Sequence, residues 1–241
     1  MSRAAAKLRI NAQPAFVLHQ YAYRETSRLL DVFSRDHGRI TVYARGVQRP
    51  GSQIRSVLLG FQPLLLSWFG GNELKTLHSA VWQPGLPQLS GLPLLCGFYI
   101  NELLQRLCPR EEPNPTLFAA YFEAIQALSM LGVASVEPVL RNFERQLLDC
   151  LGYGINWQFE AHSNKPLNLQ QSYEFQHGHG LIPSQSINAC PAALILAFAV
   201  ADFSNEQLLP WAKMWMRQAI AILLGDTILH TRQLLIDLQK L

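Results

Sequence analysis

Charged side chains are scarce in this chain of 241 residues: they make up 15% of it, against about 25% in an average soluble domain. Cysteine is scarcer still. The four cysteines (Cys96, Cys108, Cys150, Cys190) are widely scattered and form no Cys-x-x-Cys pair, which argues against a zinc ribbon or a disulfide framework and fits a reducing cytosol. Long apolar runs are missing too. The longest, Ala192 to Ala201, falls far short of the ~20 residues that a spanning helix needs, so no membrane partner is expected. Met1 to Asn11 is small and basic but lacks the apolar stretch of a secretory leader. A cytoplasmic protein is expected. The signatures of nucleotide hydrolysis and of common hydrolases are absent: there is no G-x-x-x-x-G-K-[ST], G-x-S-x-G, H-E-x-x-H or G-x-G-x-x-G. The nearest thing to a metal cluster is His162, His177 and His179 with Cys150. Their spacing matches no zinc signature, and solvated loop histidines are the simpler reading. Glu111 and Glu112 before Pro113 read as a solvated turn, and Cys96 and Cys108 as core residues. Neither an enzyme nor a cofactor is expected.

What is present is apolar and unevenly charged. Hydrophobic residues make up 49%, enough to offset chain entropy and exclude disorder. Residues 1–80 hold eleven Lys/Arg against four Asp/Glu, a net of +7, and the remainder is net −4. Ten of those eleven cations precede Ser56 and nine are arginine. The planar guanidinium fork suits phosphate and stacks on bases, so the basic stretch points to a nucleic acid or another polyanion.

The first third reads as β. Ala15 to His19 and Ser27 to Ser34 are apolar runs. Asp36-His37-Gly38 is a turn signal, and Arg39 to Arg45 alternates. Ile40, Val42 and Ala44 take one face, and Arg39, Thr41, Tyr43 and Arg45 the other. Phe61 to Phe69, a Gly70-Gly71-Asn72 turn and Glu73 to Trp82 add a hairpin. About five strands in a basic stretch suggest an OB-fold barrel, whose strand face binds oligonucleotides; an SH3-like barrel is the competitor. Residues 83–93 are rich in Pro and Gly and mark a linker between a domain 1–82 and a helical domain 94–241. Helices are expected over Leu94–Cys108, Thr116–Leu131 (Thr116 as a possible N-cap), Glu137–Leu151, Ala192–Phe203, Asn205–Leu224 and Asp226–Leu241. An irregular insertion with a small hairpin near Tyr173 to Phe175 fills about 153–190. The class is α+β, multidomain.

Several segments, in order, resemble the RecO family of bacterial recombination mediators. They are Ala15-Phe16-Val17-Leu18-His19, Glu25-Thr26-Ser27, Leu30-Asp31-Val32-Phe33, Gly38-Arg39 and Ala44-Arg45-Gly46. Pro63 to Leu66, Glu73 to Leu77, Tyr99 to Leu104, Leu140 to Glu144 and Leu151-Gly152-Tyr153-Gly154 follow. The likeness runs from about residue 12 to about residue 200 and looks most like the gammaproteobacterial branch. It implies an N-terminal OB-fold, a helical second domain, binding of single- and double-stranded DNA and annealing of complementary strands. It further implies partnership with RecR, contact with the acidic C-terminal tail of single-strand-binding protein and, indirectly, loading of RecA at the nucleoid. Many members carry a four-cysteine zinc site after the Leu-Gly-Tyr segment. Here only Cys150 and Cys190 flank that region, so no metal is expected.

On this reading the open barrel face offers Arg39, Thr41, Tyr43 and Arg45. Arginines would neutralise phosphates and release counterions, and Tyr43 would stack a base for roughly 1–3 kcal/mol. Arg24, Arg28, Arg35, Arg49, Arg55 and Lys75 would extend the track, although pairing of Arg28 with Asp31 or of Lys75 with Glu73 would also explain those two. Trp68 and Trp82 read as core or seam aromatics. The resemblance carries binding of the acidic tail to Arg141 and Arg145, which share a helix face; the alternative for Arg141 is an ion pair with Glu137. Two other functions compete: an RNA-binding OB-fold protein and, more remotely, a metal-dependent nuclease using the loop histidines.

Overall fold

The computed structural model describes residues 9–71, 73–131, 135–176 and 178–238, with side chains up to residue 234. Residues 1–8 of the basic start, Asn72 of the expected turn and loop His177 lie outside the described residues.

Five strands close a barrel: β1 (Arg9–Tyr23), β2 (Ser27–Ser34), β3 (Gly38–Ala44), β4 (Leu64–Phe69) and β5 (Leu74–Trp82). Their order around the barrel is β1-β2-β3-β5-β4, with β3 and β5 parallel and β4 returning to β1. That is an OB-like closure, and the mixed α+β class holds. β1 is far longer than its apolar run because it serves two partners. Its first half pairs with β4, and its second with β2. The alternation expected of β3 is present: Ile40, Val42 and Ala44 point into the core with Ala15, Val17, Leu30, Val32, Leu64, Leu66 and Trp68. Trp68 is fully buried there, whereas Trp82 is 46% exposed and donates its indole N–H to Gln62 at 3.0 Å. A short helix, α1 (Gln53–Val57), lies between β3 and β4.

The outer face of β1 and β2 is covered by two helices, α2 (Gly91–Leu107) and α3 (Pro115–Met130). Phe16 and Phe33 project outward and meet Phe118 and Tyr121 at ring distances of 4.9–6.0 Å. Aromatic edge contacts of this kind add to the area they bury. Asn101, buried in α2, donates to the Leu18 carbonyl at 2.9 Å and accepts from the Tyr121 hydroxyl at 2.8 Å, so a β-strand carbonyl and a phenol are both satisfied inside an apolar layer. Gly38 shows how close the approach is: with φ 63°, a Cβ there would lie 2.1 Å from the Glu112 carbonyl oxygen. The N-cap of α3 is Asn114, whose side chain accepts from Leu117 N–H at 2.9 Å. Thr116, the expected cap, lies inside the helix behind Pro115.

The last helix, α7 (His230–Leu238), returns to α2. Glu102 accepts from the His230 and Thr231 N–H groups, both at 2.9 Å, and from the Thr231 hydroxyl at 2.6 Å. Burial, the largest single influence, pushes this carboxyl up, but the hydrogen bonds and Arg106 together outweigh it and hold it below the usual carboxylate range. The chain thus forms two compact units. The first holds the barrel with α2, α3 and α7, so the Pro/Gly-rich stretch at 83–93 does not separate compact bodies.

The second unit holds α4 (Glu137–Cys150), a small sheet of β6 (Ser172–Gln176), β7 (Gly180–Pro183) and β8 (Cys190–Pro191), and helices α5 (Ala192–Ala199) and α6 (Leu208–Leu224). Its core gathers Trp157, Phe198 and Trp215, with Trp157 4.9 Å from Phe198 and 5.2 Å from Trp215. The hairpin expected near Tyr173 is present as β6 and β7, and α5 stops at Ala199 rather than Phe203. Among the described residues, no helix is long and apolar enough to cross a membrane.

Candidate nucleic-acid interface

The basic residues of the barrel fall into two groups. One group sits on loops. The turn between β1 and β2 carries Arg24, exposed and with φ 56°, its guanidinium 5.4 Å from the centre of the Tyr23 ring. Tyr23 in turn meets Tyr43 edge-on at 5.6 Å. The connection after β3 folds back onto this turn. Gly46 N–H donates to Ser27 Oγ at 3.2 Å and Gln48 N–H to the Thr26 carbonyl at 2.9 Å. Gly46 takes φ 66°, and the Arg49 side chain lies across it, 3.3 Å from where a Cβ would stand. Glycine suits this position both for its left-handed backbone and for that approach. Arg45, Arg49 and, in the last turn of α1, Arg55 are all exposed. Arg24, Arg45, Arg49 and Arg55 therefore present cations from two adjoining loops at one end of the barrel.

The second group is spent internally, which corrects the open-face picture. Arg39, which the sequence alternation put on one face with Arg45, lies on β3 with its side chain only 11% exposed, while Arg45 falls just past the strand's end. It donates to the carbonyls of Leu104 (3.2 Å) and Gln105 at the end of α2, and lies 3.9 Å from Asp31. Burial pushes its pKa down, with Asp31 opposing. Thr41 accepts from Arg110, and Lys75, 6% exposed, is paired with Glu111. Glu111 is thus a buried cation's partner rather than a purely solvated turn residue, and Lys75 does not depend on Glu73. Arg35 is exposed but forked onto Asp36, with both bonds at 2.9 Å. Arg28 does not pair with Asp31; it bonds to Gln20 and Gln48. Tyr43 is half-buried and its hydroxyl bonds to Ser27 at 3.1 Å, leaving it less open than an exposed stacking platform. The alternation that places Arg39 and Arg45 on one face says nothing of what covers that face, and the end of α2 covers half of it.

The α4 cations are also engaged. Arg141 is 7% exposed, 2.9 Å from Glu144 and 3.6 Å from Glu137. The expected Glu137 partner is there, and a second glutamate with it. Arg145 bonds to Asn142 at 3.2 Å and lies 3.7 Å from Asp149. Neither is an open cation, because helical spacing also placed acids within reach of both. Sequence reasoning passed over exposed Lys213 and Arg217 on α6, and Arg110 beside β3; the first two lie in the net-acidic part of the chain, which gave no signal. Of the loop histidines, His162 and His179 lie with ring centres 6.2 Å apart. Among the described residues, no three His, Cys, Asp or Glu side chains converge on one point. Burial pushes the Cys190 thiol up to about 12 and raises that of Cys150 as well, so neither is a ready thiolate at neutral pH.

Known sequences resolve what this basic barrel belongs to. The family profile for the N-terminal region of recombination protein O matches residues 9–84, and that for its C-terminal region matches residues 89–205. The chain belongs to the RecO family. It is 44% identical over 239 residues to a DNA repair protein RecO from Aromatoleum aromaticum, covering 98% of this chain and 99% of the relative. It is likewise 44% identical over 241 residues to one from Nitrosospira multiformis, covering 98% of each, and 42% identical over 244 residues to one from Azoarcus sp., covering 98% of this chain and all of the relative. The barrel and the first family profile end within two residues of one another, so the OB-like unit and its arginine loops lie wholly within the RecO N-terminal region.

Proposed function

We propose that this protein is a DNA-binding mediator of recombinational repair that works without catalysis, holding single- and double-stranded DNA on the arginine loops at one end of its barrel. The observation that carries this is the contrast in charge use. Arg24, Arg45, Arg49 and Arg55 are exposed on backbone held by hydrogen bonds, while Arg39 and Lys75 are consumed inside. Exposed arginines neutralise phosphates and release counterions. Tyr23 and Tyr43 beside them give a base an aromatic edge to meet.

Annealing follows from the same surface. Cations lower the repulsion between two phosphate backbones, and strands held by their backbones leave base edges readable by an incoming complement. No nucleotide need be hydrolysed, consistent with the missing P-loop. Partnership with RecR, contact with the tail of single-strand-binding protein, a nucleoid location and indirect service to RecA are proposed from family membership. For the tail, Arg141 and Arg145 remain the proposed contacts on the same family grounds. Arg141 is buried and held by Glu144 and Glu137, so a tail carboxylate would have to displace one of these partners.

Binding of a fluorescent single-stranded oligomer across a salt series tests the reading. The wild type is expected to show a steep fall of log K with log salt, and Arg45→Ala/Arg49→Ala a slope shallower by about one to two. Absence of wild-type binding at low salt overturns it.

A further inference from the structure

Arg28 differs from the loop arginines in where its donors go. It lies half-buried on β2 at the end of the barrel, in register with Ala22 of β1 and Ala44 of β3. Its Nη1 donates to Gln20 Oε1 at 2.9 Å. The carboxamide orientation that satisfies both groups turns the Gln48 oxygen to Arg28, where it accepts from Nε at 2.6 Å and Nη2 at 2.8 Å. Gln20 in turn donates from Nε2 to the Leu58 carbonyl at 2.6 Å.

These bonds form one chain from Gln48 through Arg28 and Gln20 to Leu58. Gln48 stands near the start of the connection between β3 and β4, and Leu58 stands just past α1. Both ends of the segment are thereby tied to one guanidinium, and Arg49 and Arg55 lie between the ties. Backbone bonding to the β1–β2 turn secures the first end, through Gln48 N–H and the Thr26 carbonyl; the side-chain relay carries that hold to the second. Both acceptors of Arg28 are neutral amides, so the clamp is built without cancelling its charge.

We propose that Arg28 is a positioning residue, one that holds the 46–58 segment and its two exposed arginines in place, rather than a phosphate contact. The proposal rests on the reading of these loops as the DNA surface. A lysine keeps the charge but lacks the planar fork, which gives the test its leverage.

The experiment measures binding of a fluorescent single-stranded oligomer across a salt series, with hydrogen exchange of the free protein, for wild type, Gln48→Leu, Arg28→Lys and the double variant. Gln48→Leu removes no charge, yet is expected to weaken binding by about five- to tenfold. Arg28→Lys is expected to lose a similar factor, and the double variant no more than either single one, because all three open the same clamp. Amides over 46–58 are expected to exchange faster in all three relative to the β2 and β3 amides, a comparison that also shows the barrel is folded. Wild-type binding by both single variants overturns the proposal, as do additive losses with unchanged loop exchange. If the wild type itself does not bind DNA, the functional reading fails. The clamp is then judged by exchange alone: faster loop exchange supports it, and unchanged exchange overturns it.

Discussion

Arg39 and Arg45 stand six residues apart, one near the start of β3 and the other just past its end, and they do different work. Arg39 is locked onto the end of α2 and against Asp31, whereas Arg45 stands in solvent beside Arg49. Charge and residue type are the same for both, and the sequence alternation put them on one face. What separates them is the layer that α2 and the 108–112 segment lay over one half of the barrel face. A basic barrel is therefore not a uniformly basic surface: one end is fastened to helices, and the other is left for a ligand.

The largest expected effect is on stability, at the fastened end. Arg39→Met leaves the carbonyls of Leu104 and Gln105 and the buried Asp31 short of a partner. It is expected to cost about 3 kcal/mol in urea unfolding, while the salt slope of DNA binding by the folded protein stays at the wild-type value. In the second unit, Arg141→Ala is expected to cost about 3 kcal/mol, because it removes the buried cation paired with Glu144, which is 1% exposed. An unfolding midpoint for Arg39→Met no lower than that of the wild type breaks the comparison. Arg45→Ala/Arg49→Ala should do the reverse, changing stability by no more than about 0.5 kcal/mol while flattening the salt slope.

A smaller effect sharpens the picture of the first unit. The folded-state pKa of Glu102 lies below its ordinary value of 4.5, so the carboxylate binds protons less readily in the native protein than in the unfolded chain. Its contribution is fully present above 4.5 and is lost as pH falls through the lower, folded value. Thermal unfolding followed from pH 7 to pH 3 should show a stability loss that Glu102→Gln reduces, and at neutral pH that variant should release α7 to proteolysis more readily. An acid limb unchanged by the substitution contradicts the role given to this carboxylate.

Much of this was legible in the residues. The alternation of β3, the glycine-bearing turn before β4's returning strand and the amphipathic stripe of α4 are local signals, and their elements stand where the pattern put them. Closure of the barrel was not local: the second partner of β1 and the parallel pairing of β3 with β5 join segments far apart in sequence. Asn114 rather than Thr116 caps α3 because Pro115 takes the first helical position, a competition visible only once the helix start is known. The site was legible as a charge excess but not as a list of contacts. Arg35 and Arg39 look like open cations until the acids and carbonyls brought to them by folding are seen. Pairing was the alternative for Arg28, Lys75 and Arg141, yet folding gives only Arg141 its expected partner and brings Arg28 two amides and Lys75 a different acid.

The most direct test is hydrogen exchange of the wild-type protein with and without a saturating single-stranded oligomer. Slowed exchange in the β1–β2 turn at Arg24–Thr26 and across 45–57, with the α2 end and residues 108–112 unchanged, is the predicted result. Protection confined to the α2 end and residues 108–112, with both arginine loops unaffected, would contradict the division of the barrel into a fastened end and a binding end.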